Sequence, residues 1–379
     1  MRMRIGLVVT GGVDRSGRER VVPSLLWLVE RLARRHDVHV FALHYYPEAC
    51  VYPLRGATVH DLGRVEGPPG LRLFRIQRRL AAAVESLTTS GRIDVLHAYW
   101  AMPAGAAAAG VGRRAGIPVV ATFDSGELVA LDDIGYGLQR RWIDRRTVAG
   151  IVQRAARVTV TTSFMKQMAS AIAPAARVDV VPIGIDLAEF PLTQRPEGPP
   201  WRLLRVASLN RVKDYPMLLR ALARLIPILP GIHLDVVGED TVDGSVQELA
   251  STLGVDAHVT FHGFQPTDAL ASCYARAHLH VVSSRHEAAG IVVLEAAASG
   301  VPTVGTRVGF LADWAPESVE RGVAVPVGDD AALAQAVVDL VSDRPRREQI
   351  AANAREWAVA HDAEWTARQF ERIYAEVSC

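Results

Sequence analysis

Residues 283–300 read SSRHEAAGIVVLEAAASG. Two glutamates, Glu287 and Glu295, stand eight positions apart in a stretch that is otherwise small and apolar. A carboxylate inside an apolar helix needs a partner, because burying an unpaired charge is costly. HLHVVSS (278–284) has the short β-branched pattern of a buried strand, RHEAAG reads as a loop, and IVVLEAAAS reads as a helix stopped by Gly300. The carboxyl end of a strand therefore meets the amino end of a helix around Glu287 to Gly290. Free backbone N–H groups and the helix dipole make such a spot an anion site. Ala288, Ala289 and Gly290 lack bulk, so a ligand can approach the backbone up to Ile291. Glu295 lies about one turn in, placed to accept a pair of ribose hydroxyls while the helix start takes phosphates. The competing reading is two glutamates solvated on a helix face, and the apolar surroundings speak against it.

Outward from this stretch, short apolar runs alternate with helical patterns. RIGLVVT (4–10), DVHVFAL (37–43), IDVLHAY (93–99), PVVATF (118–123), RVTVTT (157–162) and RVDVVP (177–182) read as strands with helices between. The pattern then restarts with WRLLRVASL (201–209), IHLDVVG (232–238), HVTFHG (258–263), HLHVVSS, VPTVGT (301–306) and VAVPV (323–327). Strand–helix alternation means a parallel sheet covered on both faces, so the fold class is α/β with two Rossmann-like doubly wound domains facing a cleft. The polar, proline-rich TQRPEGPP (193–200) is the expected linker, and the chain from about Arg346 is expected to be helical. The expected division is 1–183 plus a returning helix 362–379, and 184–361. In such sheets ligands sit beyond the carboxyl ends of the strands, at switch points.

Composition narrows the class. A length of 379 residues suits two domains, and 49% hydrophobic residues supply real cores. A net charge of +1 argues against a general nucleic-acid binder. Cys50, Cys273 and Cys379 are too scattered for a disulfide framework or a zinc site, which points to a reduced, cytoplasmic protein. The apolar run in MRMRIGLVVTGG is short and ends at Gly11-Gly12, so it reads as a first buried strand rather than a leader. AMPAGAAAAGVG (101–112) reads as a packed helix rather than a membrane span.

Other motifs are weaker. Gly11 and Gly12 follow the first strand, where a glycine turn lets phosphate or sugar approach backbone N–H groups. His97, Tyr99 and Trp100 end the strand IDVLHAY; they offer a hydrogen-bonding group and a stacking face to an acceptor sugar, or simply pack in the core. Asp124 in ATFDSGEL orients an acceptor hydroxyl or caps a turn with Ser125. HEAAG lacks the second histidine of a zinc helix, since position 290 is glycine. His278 and His280 find no third ligand, and Asp132-Asp133 sits in a loop-like stretch. RLFRIQRRL (72–80) is either a contact for an anionic membrane or a solvated helix face.

EAAGIVVLE fits the E-x7-E pattern of retaining glycosyltransferases of the GT-B fold. Its context through GVPTVGTRVG, together with ASLNRVKDYPMLLRALARL and LDVVGED, resembles family 4 of that group. The resemblance is strong over 202–345 and looser before it, through TGG, VLHAYWAMPAG and VVPIGIDLAEF. It implies GT-B architecture with an acceptor-side first domain and a donor-binding second one. It implies that Glu295 binds the ribose of a nucleotide sugar, and that Glu287 and the following amides contact the donor sugar. Gly263 and Phe264 join the donor set, and the Gly11-Gly12 loop covers the donor phosphate.

Arg211 and Lys213 correspond to the cations on the donor diphosphate. The usual arginine five before the lysine is Ser208 here, so Lys213 is the firmer assignment. Asp124 or Phe123 stands where family members often carry a histidine. The implied reaction is transfer of a hexosyl unit to an acceptor hydroxyl with retention. The leaving diphosphate takes the acceptor's proton, so that no protein nucleophile, metal or cofactor is needed. Implied partners are a UDP-, GDP- or dTDP-linked donor, a sugar, lipid-linked or small-molecule acceptor, no nucleic acid, and peripheral contact at the inner membrane face as an option. The alternatives are a GT-B nucleotide-sugar epimerase, a non-catalytic nucleotide-sugar binder, and a variant coupling non-sugar cyclitols.

Overall fold

The computed structural model describes residues 2–43, 45–87, 91–174, 176–194, 196–314 and 318–378. Arg195 of the expected linker and Cys379 lie outside the described residues. The chain divides into two compact units, Met1–Ile183 with Ala363–Cys379, and Gly184–Asp362.

The first unit holds strands β1 (Arg4–Val9), β2 (Asp37–Ala42), β3 (Cys50–Leu54), β4 (Ala57–Asp61), β5 (Val95–Tyr99), β6 (Val119–Phe123), β7 (Arg157–Val160) and β8 (Val178–Val180). Its helices are α1 (Pro23–Ala33), α2 (Pro69–Ser86), α3 (Ala106–Ala115), α4 (Trp142–Arg154) and α5 (Ser163–Ile172). The sheet order is β3-β4-β2-β1-β5-β6-β7-β8. All pairs are parallel except β3 with β4. Every residue of β5 and β6 is buried, as a strand covered by helices on both faces requires.

The second unit holds β9 (Arg202–Val206), β10 (His233–Val237), β11 (Val259–Phe261), β12 (Leu279–Val282), β13 (Thr303–Thr306) and β14 (Val323–Val325), all parallel, in the order β11-β10-β9-β12-β13-β14. Its helices are α6 (Tyr215–Leu225), α7 (Ser245–Thr252), α8 (Thr267–Arg276), α9 (Ile291–Ala298), α10 (Gly309–Trp314), α11 (Asp330–Ser342) and α12 (Arg344–Ala360). Its core joins Leu203, Leu234 and Val281 of the sheet to Leu218 of α6 and Val337 of α11. The last helix, α13 (Ala363–Ser378), belongs to the first unit. There Arg35 bonds Glu364 and Glu371, and Arg157 bonds Glu376.

These strand orders fix where ligands can sit. The order reverses between β1 and β5 in the first unit and between β9 and β12 in the second. The loops after those four strands carry Gly11-Gly12, Trp100, Ser208–Lys213 and Ser283–Glu287, as the switch-point rule anticipates.

Three local expectations change. Gly11-Gly12 do not lead directly into a helix. A loop intervenes, closed by the Val13–Val21 bridge and the Val22 N–H on the Gly12 carbonyl at 3.0 Å. The stretch expected as one packed helix starts as a wide turn over Ala101–Gly105 before α3 begins. The β3–β4 hairpin was not expected at all. No helix among the described residues is long and apolar enough to cross a membrane.

Candidate active site

The second unit brings the glutamate pair and the lysine together at its switch point. Glu287 lies in the loop between β12 and α9, and Lys213 lies in a short turn after β9 that ends at Asp214, the N-cap of α6. Lys213 Nζ donates to Glu287 Oε1 at 2.7 Å, and Ser284 Oγ donates to the same oxygen at 2.6 Å. The Ser283 hydroxyl donates to the Lys213 carbonyl at 2.7 Å, and the Arg285 N–H donates to the Val212 carbonyl at 2.8 Å. The two loops are thus stitched by backbone as well as by charge. Burial works to raise the Glu287 pKa; the charges of Lys213 and Arg205 and the bonds from Lys213 and Ser284 outweigh it and hold it below the ordinary value.

Gly290 caps α9 with φ +75, a conformation that favours glycine, and Ala288 and Ala289 are buried. Val293 through Ala298 are all buried, so Glu295 does sit on a helix covered all round. Its Oε2 accepts from Tyr274 Oη at 2.8 Å. Burial pushes its carboxyl up to about 7, against the pull of the Tyr274 bond and with the charge of Glu189 adding to the rise. Arg211 is exposed on the same turn as Lys213. Gly263 has φ +67 and open space where a Cβ would stand, and Phe264 beside it is 61% exposed. A ring in that position is free to cover a ligand.

Sequence reasoning missed Arg205. It lies on β9, fully buried, with Nη2 donating to Ser284 Oγ at 2.7 Å and 4.0 Å from Glu287 Oε1. Its Nε and Nη1 are buried without a partner among the described residues. Its only signal in the sequence is an arginine inside an apolar strand run, three positions before the serine that replaces the family's arginine.

In the first unit the structure separates the expected acceptor residues. His97 is fully buried, its Nδ1 2.6 Å from Tyr374 Oη on α13 and its Nε2 2.6 Å from Thr122 Oγ1. Burial pushes its pKa down to about 3, so it is a neutral packing residue rather than a group facing a ligand. Tyr99 is likewise buried. Trp100 is different. It adopts φ +71, strained for a bulky side chain, and lines a cavity of about 540 Å3 with Thr10, Met102, Tyr136 and Arg141.

Glu127, also missed, braces that wall. It is buried, and its carboxylate accepts from the Ser125 N–H at 2.7 Å and the Ala101 N–H at 3.3 Å. Burial raises its pKa while those amide bonds oppose the rise. The turn at Ser125 is therefore held by Glu127. Asp124 is half-buried, and its charge adds to the burial that raises the Tyr99 phenol. Gly11 and Gly12 are half-buried; Val22 lies where a Cβ on Gly12 would stand. No group of three or more metal-ligating side chains occurs among the described residues.

Two parallel-sheet units with this loop chemistry define the GT-B class. Residues 21–189 match the model for Glycosyltransferase Family 4, and residues 190–357 match Glycosyl transferases group 1. A D-inositol 3-phosphate glycosyltransferase of Segniliparus rotundus is 30% identical over 310 residues, covering 72% of this chain and 68% of that protein. The chain belongs to the group 1, family 4 glycosyltransferases. A GDP-mannose-dependent alpha-(1-6)-phosphatidylinositol monomannoside mannosyltransferase of Mycobacterium tuberculosis is 32% identical over 54% of this chain. The chain spans 57% of that relative, and 51% of a similar inositol phosphate glycosyltransferase from Corynebacterium urealyticum. Among solved structures, a sucrose-phosphate synthase from Thermosynechococcus elongatus aligns at TM-score 0.80 and 23% identity over 99% of both chains. The Anabaena protein HepE, in complex with UDP and glucose, aligns at 0.75 and 17% identity over 99% of this chain and all of that one. These two structures bear on the fold alone.

Proposed function

We propose that this protein transfers a hexosyl unit from a nucleotide sugar to an acceptor hydroxyl with retention at the anomeric carbon. The observation that carries the reading is the Lys213–Glu287 pair at the β9/β12 switch point. Donor phosphates take Lys213 and Arg211, the ribose takes Glu295, and the sugar hydroxyls take Glu287 and the amides from Ala288 to Ile291. The bond from the anomeric carbon to the phosphate oxygen breaks while the acceptor oxygen bonds the same face. The acceptor's proton passes to the leaving phosphate oxygen. Charge then builds on the diphosphate, and fixed cations stabilise it there more than in the ground state.

A UDP, GDP or dTDP sugar fits this chemistry equally. The relatives' names supply one GDP-mannose-dependent enzyme, and the HepE complex supplies UDP. The cavity beside Trp100 and Tyr136 is the acceptor site in this reading, suited to a sugar, a lipid-linked sugar or a small polyol stacked on an aromatic face. The location is cytoplasmic, with peripheral contact to a membrane. No cofactor takes part.

The test is a thermal-shift screen of UDP-, GDP- and dTDP-sugars, because a ligand binding the folded state raises apparent stability. Steady-state kinetics of Lys213→Ala with the selected donor follow. A kcat loss of about tenfold or more with a smaller change in donor affinity is expected. Equal kcat in mutant and wild type sinks the assignment.

A further inference from the structure

Helices α2, α3 and α4 pack side by side in the first unit. They carry nine arginines against two carboxylates, Glu85 and Asp144. The whole chain has a net charge of +1, so this excess is local. Asp144 lies 3.9 Å from Arg141, just before α4. Arg72, Arg113, Arg114, Arg145, Arg146 and Arg154 form no ion pair with a described residue.

Between the three helices runs a groove of about 350 Å3, with Arg113 and Arg114 on one wall and Arg146 and Arg154 on the other. Gly110 and Gly150 leave it open: a side chain on Gly110 would stand in the place of the Gln77 amide, and one on Gly150 would crowd the Arg154 guanidinium.

Large apolar side chains on α2 and α4, the helices that line the groove with α3, are exposed. Phe74 on α2 is 54% exposed, and Leu71 one turn earlier is 43% exposed. Trp142 and Ile143, the first residues of α4, are 61% and 52% exposed. Arg146 lies over the Trp142 ring, 5.6 Å from its centroid. Exposed aromatic and aliphatic groups interleaved with unpaired arginines match the headgroup layer of an anionic bilayer, where rings sit at the interface and cations meet lipid phosphates. A protein partner would have to bring a matching set of carboxylates to these arginines, whereas an anionic bilayer presents phosphates all along its surface. A nucleic acid would use the arginines but not Leu71 and Ile143.

We propose that the α2–α3–α4 face is the docking surface for an anionic lipid bilayer, with Phe74, Leu71, Trp142 and Ile143 entering the headgroup layer and the groove arginines taking lipid phosphates. The inference rests on the peripheral contact proposed above and names the face that makes it. It does not depend on the reaction.

Flotation of the full chain with vesicles tests it. Vesicles of phosphatidylcholine with 30 mole percent phosphatidylglycerol, taken as about one anionic lipid in three, are compared with phosphatidylcholine alone, at low and high salt. The wild type is expected to float with the anionic vesicles and to lose that binding in high salt. Phe74→Ser with Trp142→Ser, and separately Arg113→Ser with Arg146→Ser, are each expected to weaken partitioning about tenfold or more. Thermal shift with the nucleotide donor reports that each variant is folded, and the donor-induced shift should match wild type. Absence of wild-type flotation overturns both the face and the peripheral contact. Wild-type flotation that both variants retain overturns the face and leaves the contact standing. Loss only in the arginine pair, with tighter binding to duplex DNA than to vesicles, makes the face a nucleic-acid site and overturns the proposal.

Discussion

Glu295 has the clearest titration signature of the site. A carboxyl raised to about 7 by burial keeps its proton in the folded chain over a range where the unfolded chain releases it. Its contribution to stability is therefore full below the unfolded value of 4.5 and is lost as pH rises through about 7. Glu295→Gln keeps an acceptor for Tyr274 and removes the charge. The variant is expected to melt higher than wild type at pH 8 and nearly equal to it at pH 5, by scanning fluorimetry. Its nucleotide affinity should drop, and calorimetry should find that affinity flat between pH 6 and 8 where the wild type rises. Equal melting shifts at both pH values would mean a solvated carboxylate. Arg205 acts through its neighbours. Arg205→Met fills the same space and leaves Glu287 to Lys213 and Ser284, so the Glu287 pKa should climb. The acid limb of kcat/KM is expected to move to higher pH, with kcat down about tenfold or more and partial rescue by Arg205→Lys. An unmoved pH profile would leave Arg205 a packing residue. Glu287 and Glu295 stand out in the sequence as the carboxylates of an otherwise small, apolar stretch, and Lys213 stands out only through the resemblance of SLNRVKD to the family pattern. Arg205 does not stand out, because an arginine in a strand looks the same whether it faces solvent or a buried carboxylate.

At the scale of elements, the runs that are apolar throughout were the readable ones. LHVV of β12 and the helix after it were placed by pattern alone, and both are buried as expected. The β3–β4 hairpin escaped because CVYPL contains Pro53, which removes a donor and demotes a strand reading. Pro53 is tolerated there because β3 pairs only with β4, antiparallel, at the sheet edge. His97 admits two readings in the sequence, a ligand contact or core packing, and the structure selects packing. The returning α13 covers that strand end, and Tyr374 and Thr122 take both ring nitrogens. The Gly11-Gly12 turn was found, but its loop folds back through Val13 and Val21 before α1 begins. Asp14 fixes that loop: burial would raise its pKa, and the bonds from Ser16 and Tyr46 with the charge of Arg20 bring it down to about 2.

For the whole molecule, each unit has its own buried core, one built on β9 to β14 and one including Val8, Leu96 and Val111. Cores of that kind unfold as separate cooperative units. Calorimetry is expected to show two transitions. The donor nucleotide should raise one of them, that of Gly184–Asp362. Removing α13 should lower the other, since Phe370 and Tyr374 are buried in the first unit. A nucleotide that raises the α13-sensitive transition instead would place the donor in the wrong unit.

The sequence by itself determined the alternation of strand and helix, the restart that makes two sheets, and the standing of Glu287 and Glu295 as carboxylates in an apolar stretch. Each of these is a local property, since periodicity reports which side of a segment is buried. Tertiary structure alone decided what Arg205 and His97 do and which arginines share a face. Arg205 meets Ser284 across 79 residues, and His97 meets Tyr374 across 277. Such pairings depend on strand order and on where α13 returns, and no local pattern of polarity encodes either.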